Sequence, residues 1–517
     1  MNLGQVARMM AGFAAFFTAA QLPPLLLALH EGSSGRFAPA SGFLASIAIG
    51  TLVVALLWWA GRTGHGPVFR KEAIATAGLS WLLAGLLGAI PFQWSGLLTN
   101  PIDAVFEAIS GLTTTGASVL GSGANPAIEQ APPSLLLWRA LMQWIGGCGI
   151  VLVFVALLPA MGVTGKNLLT SESVAVGTET NQPRAIEKAR LIAAIYGSLT
   201  IACAVLLVAI GGFGWFDAIC HAFTALSTGG FSTRSSIADF QSLGGEIVLI
   251  AFMFVGGSSL AWVAVHWRSG RHCLPGLVRS GEFRLYALVT AIGVAACTVL
   301  LAMSGVAVPT ALRQAAFNVT SVLTSTGYAS ADFQAWPAGA LLLLFGMMLV
   351  GGCSGSTAGG IKQVRLLVIL RLLAYTLRHF VRPKSVERIK LDNEVLPAAV
   401  ISSILAIVLL WAVTLGLGAL LLGLDERLPF VGALTASASM LGSTGPSLTL
   451  VDPVAAEAVL GTTLVAQVPA GVANIGPMGG YGDLRDGTKL VMTALMLLGR
   501  LELLTVLALF SPSFWRR

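Results

Sequence analysis

Asp103–Gly116 reads DAVFEAISGLTTTG. It is moderately apolar, yet too short and too polar to cross a bilayer, and it closes on Thr114-Thr115-Gly116. The pattern returns three times: Phe216–Gly229 (FDAICHAFTALSTG), Arg313–Gly327 (RQAAFNVTSVLTSTG) and Pro429–Gly445 (PFVGALTASASMLGSTG). These copies close on Ser227-Thr228-Gly229, Ser325-Thr326-Gly327 and Ser443-Thr444-Gly445. Recurrence at a near-constant interval marks a repeat architecture. The four glycines lie roughly 100 to 120 residues apart, the length of two membrane spans, a half-helix and their loops.

Outward from each copy lie apolar runs. Gly42–Ala60, Leu135–Leu158, Leu191–Ile210, Ile247–Val265, Leu285–Met303, Ala338–Val350 and Val400–Leu422 are the clearest. Most approach or exceed the roughly 20 residues that cross a hydrocarbon core. Met9–Leu29 lacks a small-residue cleavage motif and reads as a retained span. The chain of 517 residues is 56% hydrophobic and 10% charged, which excludes an ordinary soluble protein. The expected fold is therefore an all-α polytopic membrane protein. Four span–half-helix–filter-loop–span repeats surround one pore, and two transmembrane helices precede them. The expected divisions are residues 1–68 for the N-terminal helices, then 69–165, 166–275, 276–385 (with an intramembrane loop) and 386–517 for the four repeats.

The formal net charge of +7 does not indicate nucleic acid. Alternating the spans puts most Lys and Arg on one side, including Arg62, Lys71, Lys188, Arg284 and the run from Lys362 to Lys390. By the positive-inside rule that side is cytoplasmic, with both termini. Asp103, Glu107, Asp217, Asp332, Asp425 and Glu426 fall on the other side. Such acids are expected to concentrate cations at the mouth. The six cysteines have no metal or disulfide spacing and read as small buried side chains. The six histidines are scattered, which argues against a membrane enzyme; His221, on the second half-helix, reads as packed against its neighbours.

The repeated endings suit a permeating cation. Backbone carbonyls and hydroxyls can replace an ion's water without adding fixed charge. Non-helical backbone at membrane depth survives where it lines a polar cavity. Glycine reaches the backbone angles such a loop needs. Each half-helix aims its partly negative C-terminus at the loop. The loops hold no acid, which suits a dehydrated monovalent ion. Below them, the run Gly351-Gly352-Cys353-Ser354-Gly355-Ser356-Thr357-Ala358-Gly359-Gly360 breaks a span, because each Gly costs about 1 kcal/mol of helix stability relative to Ala. Its glycine spacing approaches a phosphate-binding loop, but Ile361 stands where lysine is required. Arg500 lies inside the last apolar run, where an arginine faces a cavity or a partner. Glu502 sits on another helix face and is a poor partner for it. Lys362 and Arg365 read as anchors on the cytoplasmic side.

At these residues the chain resembles the TrkH type of the Trk/Ktr/HKT superfamily of potassium transporters. The strongest strings are LLLWRALMQWIGGCGI (Leu135–Ile150), FDAICHAFTALSTGGFST (Phe216–Thr233), GGCSGSTAGGIK (Gly351–Lys362) and MLLGRLELLTVLALFSPSFW (Met496–Trp515). The resemblance implies potassium at the filter residues, with no bound organic cofactor in this chain. It also implies a homodimer in the bacterial inner membrane and a cytosolic nucleotide-binding partner of the TrkA type. Loops at Gly165–Arg190, Arg268–Arg284 and Arg371–Lys390 are its expected docking surface. Gly116 stands where sodium-permeable relatives carry serine. Gly351, Gly352, Gly355, Gly359 and Gly360 match the obstructing loop, and Arg500 matches a pore arginine beneath the filter that repels cations. The fourth loop departs from the family: Gly442-Ser443-Thr444-Gly445-Pro446 replaces an Asn-Val-Gly-Pro pattern. The alternative to a gated pore is a symporter coupling potassium entry to protons or sodium, with Glu502 as the titratable acid at membrane depth.

Overall fold

Two helices, α1 (Leu3–Ala19) and α2 (Leu22–Glu31), form one bent span, and α3 (Pro39–Ala60) returns beside it. The structure is a computed structural model that describes residues 1–32, 36–64, 69–161, 182–266, 273–383, 389–392 and 394–515. Parts of the three loops expected to dock a partner (165–181, 268–272 and 384–388) lie outside the described residues. Four units of like order follow. The first is α4 (Arg70–Trp94), the half-helix α5 (Pro101–Leu112) and α6 (Pro133–Met161). The second is α7 (Gln182–Ala209), the half-helix α8 (Trp215–Leu226), α9 (Leu243–Gly257) and α10 (Leu260–His266), with the linker helix α11 (Cys273–Arg279). The third is α12 (Gly281–Met303), the half-helix α13 (Val308–Leu323), α14 (Ala338–Val350) and α15 (Gln363–Val381). A ribbon of two short strands, β1 (Lys390–Leu391) and β2 (Glu394–Val395), leads to the fourth. That unit holds α16 (Ala398–Leu422), the half-helix α17 (Phe430–Gly442), α18 (Pro453–Val459), α19 (Asp486–Arg500), α20 (Leu503–Phe510) and α21 (Pro512–Trp515).

Local chemistry starts and stops these elements. Asn100 caps α5 by accepting from the Ile102 amide at 2.9 Å, and Pro101 costs nothing in the first turn because its missing N–H is an orphan there anyway. Seven helices are long and apolar enough to span a membrane among the described residues. In α7, α12 and α16 only 28%, 22% and 22% of the spanning window is buried within the chain, so their Leu and Val side chains face outward to lipid. The figure for α6 is 67%, because it packs inward against two half-helices. Phe17, Trp81, Phe106, Trp138, Met440 and Met492 share one core, which joins the N-terminal helices, unit 1 and unit 4. Contact between α19 and α5 thus closes the four units on themselves.

The run Ile247–Val265, read as one span, is broken at Ser258 into α9 and α10. The glycine run interrupts the third unit as expected, and α19 breaks from α20 at Glu502.

Candidate ion pathway

The four filter loops share one backbone path. Thr115, Gly229, Thr326 and Thr444 donate their amides to Ser110, Thr224, Ser321 and Ser439 at 2.8–2.9 Å. The residue before each amide is left-handed: Thr114 (φ 52°), Thr228 (51°), Ser325 (54°) and Ser443 (53°). The residue after it is a glycine at positive φ: Gly116 (80°), Gly230 (81°), Gly327 (83°) and Gly445 (97°). A threonine at positive φ is a true outlier, since its branched Cβ meets the backbone. Eight non-glycine residues have positive φ among the described residues; four are these filter residues, and Lys362 and Glu502 below them are two more. Strain of this kind gathers where surrounding structure over-determines it.

This geometry corrects the second repeat by one residue. The ring glycine there is Gly230, Gly229 takes the place of Thr115, and Ser227 takes that of Thr113. The adjacent glycines Gly229 and Gly230 are indistinguishable by pattern. What separates them is a neighbour. A Cβ on Gly116 would fall within 3.0 Å of Gly229 O, one on Gly230 of Thr326 O, one on Gly327 of Thr444 O, and one on Gly445 of Thr115 O. Each ring glycine therefore seats the preceding carbonyl of the next unit, and the loops close in chain order, the fourth onto the first.

Half-helices α5, α8, α13 and α17 end at the loops, so four partly negative termini converge on the ring. All four ring glycines line an outer vestibule. The acids expected to make its mouth attractive to cations mostly have local partners, and two of them face a buried cation. Asp103 is paired with Lys489, and Glu107 with Arg139 at 2.7 Å. Asp217 accepts from Thr233 Oγ1 at 2.6 Å, Asp332 from the Ala466 amide at 2.9 Å and Asp425 from Thr488 Oγ1 at 2.8 Å. Glu426 alone of the six is largely exposed. These acids hold half-helices and outer loops in position, since a buried carboxylate must be satisfied.

Arg139 is the centre of one such clamp. It lies on α6, 1% exposed, with its guanidinium 4.0 Å from the Phe231 ring centroid and donating to Ser232 O at 3.2 Å. It thereby ties the half-helix of unit 1 to the loop of unit 2. Arg139→Ala leaves Glu107 buried and unpaired, and should cost about 3–5 kcal/mol, read as a lowered melting temperature in detergent. Arg139→Met with Glu107→Gln should recover part of that loss. Sequence reasoning missed this clamp, although an arginine inside the Leu135–Leu158 run was the available signal.

Beneath the ring, Gly351–Gly360 forms a compact, plug-shaped loop. Gly351 (φ 73°) and Gly360 (79°) close its neck, where a Cβ on Gly351 would meet Gly359 O. The Gly359 amide donates to Ser325 Oγ at 2.6 Å, and Thr357 Oγ1 donates to Leu226 O at 3.0 Å and accepts from Thr228 Oγ1 at 3.2 Å. A Cβ on Gly359 would collide with Gly442 O. The plug therefore touches units 2, 3 and 4. The Gly352 side of the loop packs on Gly257 O, and Gly355 O accepts from the Ala261 amide at 3.1 Å. Arg500 ties the loop to unit 1: Nη1 donates to Thr357 O at 2.6 Å and Nη2 to Gly146 O of unit 1 at 3.3 Å. It is 4% exposed and has no carboxylate partner among the described residues, so two carbonyls hold it rather than a structural ion pair.

Glu502 pairs instead with Arg365 at 2.7 Å. Lys362 turns back to donate to Ala358 O, so it anchors the plug rather than reaching out to the cytoplasmic side. Gly359, Gly360, Lys362, Arg365, Arg500 and Glu502 line the inner cavity together. His221 is buried and packed as expected, its Nδ1 against Asp217 O at 2.7 Å and its ring against Phe213 and Phe240.

Three comparisons bear on this arrangement. Residues 40–462 match the TrkH model, described as a cation transport protein. Over the whole length of both chains the protein is 33% identical to the Trk system potassium uptake protein TrkH of Halomonas elongata. It is 31% identical, again over both whole chains, to the protein of that name from Escherichia coli strain K12. The crystal structure of the potassium transporter TrkH from Vibrio parahaemolyticus superposes with a TM-score of 0.83, at 28% identity and with all of both chains covered. A multi-pass helical chain with this repeat, this ring and this coverage belongs to the TrkH family of cation transport proteins.

Proposed function

We propose that the chain is a gated, channel-like pore for potassium uptake across the bacterial inner membrane, with both termini cytoplasmic. One observation carries the reading: four loops of identical backbone path, each seating its neighbour's carbonyl on a glycine, close into a ring at the ends of four half-helices. Potassium binds at Thr114–Gly116, Ser227–Gly230, Ser325–Gly327 and Ser443–Gly445. The ring offers carbonyls and no fixed charge, as a dehydrated monovalent ion requires. The relatives' names supply the ion. The plug with Arg500 is the gate. The chain works as a homodimer under a cytosolic nucleotide-binding subunit of the TrkA type, in keeping with relatives named for a Trk system. Proton coupling through Glu502 finds less support, because that carboxylate is held by Arg365.

The test is rescue of a potassium-uptake-deficient bacterium at limiting potassium, with the regulatory subunit supplied. Rescue is expected; its failure removes the potassium assignment. Gly116→Ser, which puts a side chain at φ 80° and against Gly229 O, should weaken rescue and admit sodium. Tracer sodium influx in the same cells checks the second effect.

A further inference from the structure

In units 1 and 3 the filter loop is braced from within. The Thr115 hydroxyl bonds that of Thr113 at 2.8 Å, and the Thr326 hydroxyl bonds that of Thr324 at 2.7 Å. In each pair the inner threonine donates in turn to its half-helix, at Ile109 O and Thr320 O. Unit 2 has no such brace, because Gly229 stands where the outer threonine would be. Its space is not empty. The atoms nearest to a Cβ on Gly229 would be those of the Gln143 side-chain amide. Gln143 comes from α6 of unit 1, one helical turn beyond Arg139, and is completely buried. Its Nε2 donates to Gly229 O at 2.6 Å, and its Oε1 accepts from the Phe231 amide at 3.0 Å. One amide thus grips the chain on both sides of the ring glycine Gly230. Unit 4 has the matching defect, Gly442 in place of the inner threonine. There the Tyr481 hydroxyl reaches Gly445 O at 2.7 Å. Two loops are braced by their own threonines and two by side chains from outside the loop.

We propose that Gln143 is a positioning residue for ion selectivity: it replaces the missing threonine brace of unit 2 and holds the Gly229 carbonyl in the ring. The inference rests on the reading of the ring as a potassium filter. Gly229 O is the carbonyl seated against Gly116. Its position and its field strength both depend on the amide that donates to it. A buried acceptor that loses its donor is free to turn toward a smaller cation, and a ring that contracts favours sodium.

The experiment is bi-ionic reversal potential in liposomes holding the purified full chain. Gln143→Leu, which fills the space without hydrogen bonding, should lower the potassium-to-sodium permeability ratio about tenfold, the effect of one lost buried hydrogen bond. Gln143→Met keeps the length of the side chain and loses the donor without adding a charge, and should fall likewise; it decides the matter if the leucine variant does not fold. The swap Gln143→Ala with Gly229→Thr restores in unit 2 the brace of units 1 and 3, with Ser227 at the inner position, and should recover most of the ratio. A ratio unchanged in both single variants shows that Gln143 only fills space and overturns the inference. A swap no more selective than Gln143→Leu also overturns it. If the parent itself shows no preference for potassium, the filter reading fails first, which separates the two failures.

Discussion

Gly230→Ala should abolish potassium uptake, while Gly229→Ala should leave it measurable. At Gly230 the new Cβ falls on Thr326 O and close to the Gly327 carbonyl carbon, both backbone atoms of the next loop. Neither can yield without displacing the ring. The backbone angle compounds the problem, because φ of 81° costs a residue with a side chain roughly 1–2 kcal/mol. At Gly229 the angle is ordinary and the obstacle is the end of the Gln143 side chain, which can turn aside. Tracer uptake into cells or liposomes, normalised to protein in the membrane, distinguishes the two. Tolerance at 230 with complete loss at 229 would restore the register that Ser227-Thr228-Gly229 suggests by eye.

If Arg500 belongs to the gate as proposed, Arg500→Ala should raise the basal potassium flux. The guanidinium has no carboxylate partner among the described residues, so its charge acts on whatever enters the inner cavity beside it. A unit charge about 4 Å from a cation at an effective dielectric of about 20 raises its energy by about 4 kcal/mol. The substitution also releases Thr357 O, and with it the link from plug to α6 through Gly146. Both changes act in one direction. Potassium flux without the regulatory subunit should rise at least about tenfold, and Arg500→Lys should rise less because the charge remains. Equal flux from parent and alanine variant would remove Arg500 from the gate.

The architecture was legible in the sequence because its determinants are local. Apolar runs mark the spans, and four short polar-ended segments mark the half-helices. The plug was legible too, since ten residues with five glycines cannot remain helical inside a span. The outward acids misled. Asp103 and Lys489 are almost 400 residues apart in the chain, and nothing near either residue shows that α19 of unit 4 packs on α5 of unit 1.

By itself the sequence determined that the chain crosses the membrane repeatedly, that four like units follow one another, and that a glycine-bearing loop ends each half-helix. Only the tertiary structure decided which glycine completes the ring in unit 2. Gly229 and Gly230 have the same local freedom, and what distinguishes them is contact: Thr326 O of the following unit excludes a side chain at 230, and Gln143 of the preceding unit occupies the space at 229. Only the fold, likewise, turned Asp103 and Glu107 from a source of field into clamps between units. A carboxylate beside a cation, as Asp103 is beside Lys489 and Glu107 beside Arg139, adds little field at a distance because the two charges nearly cancel.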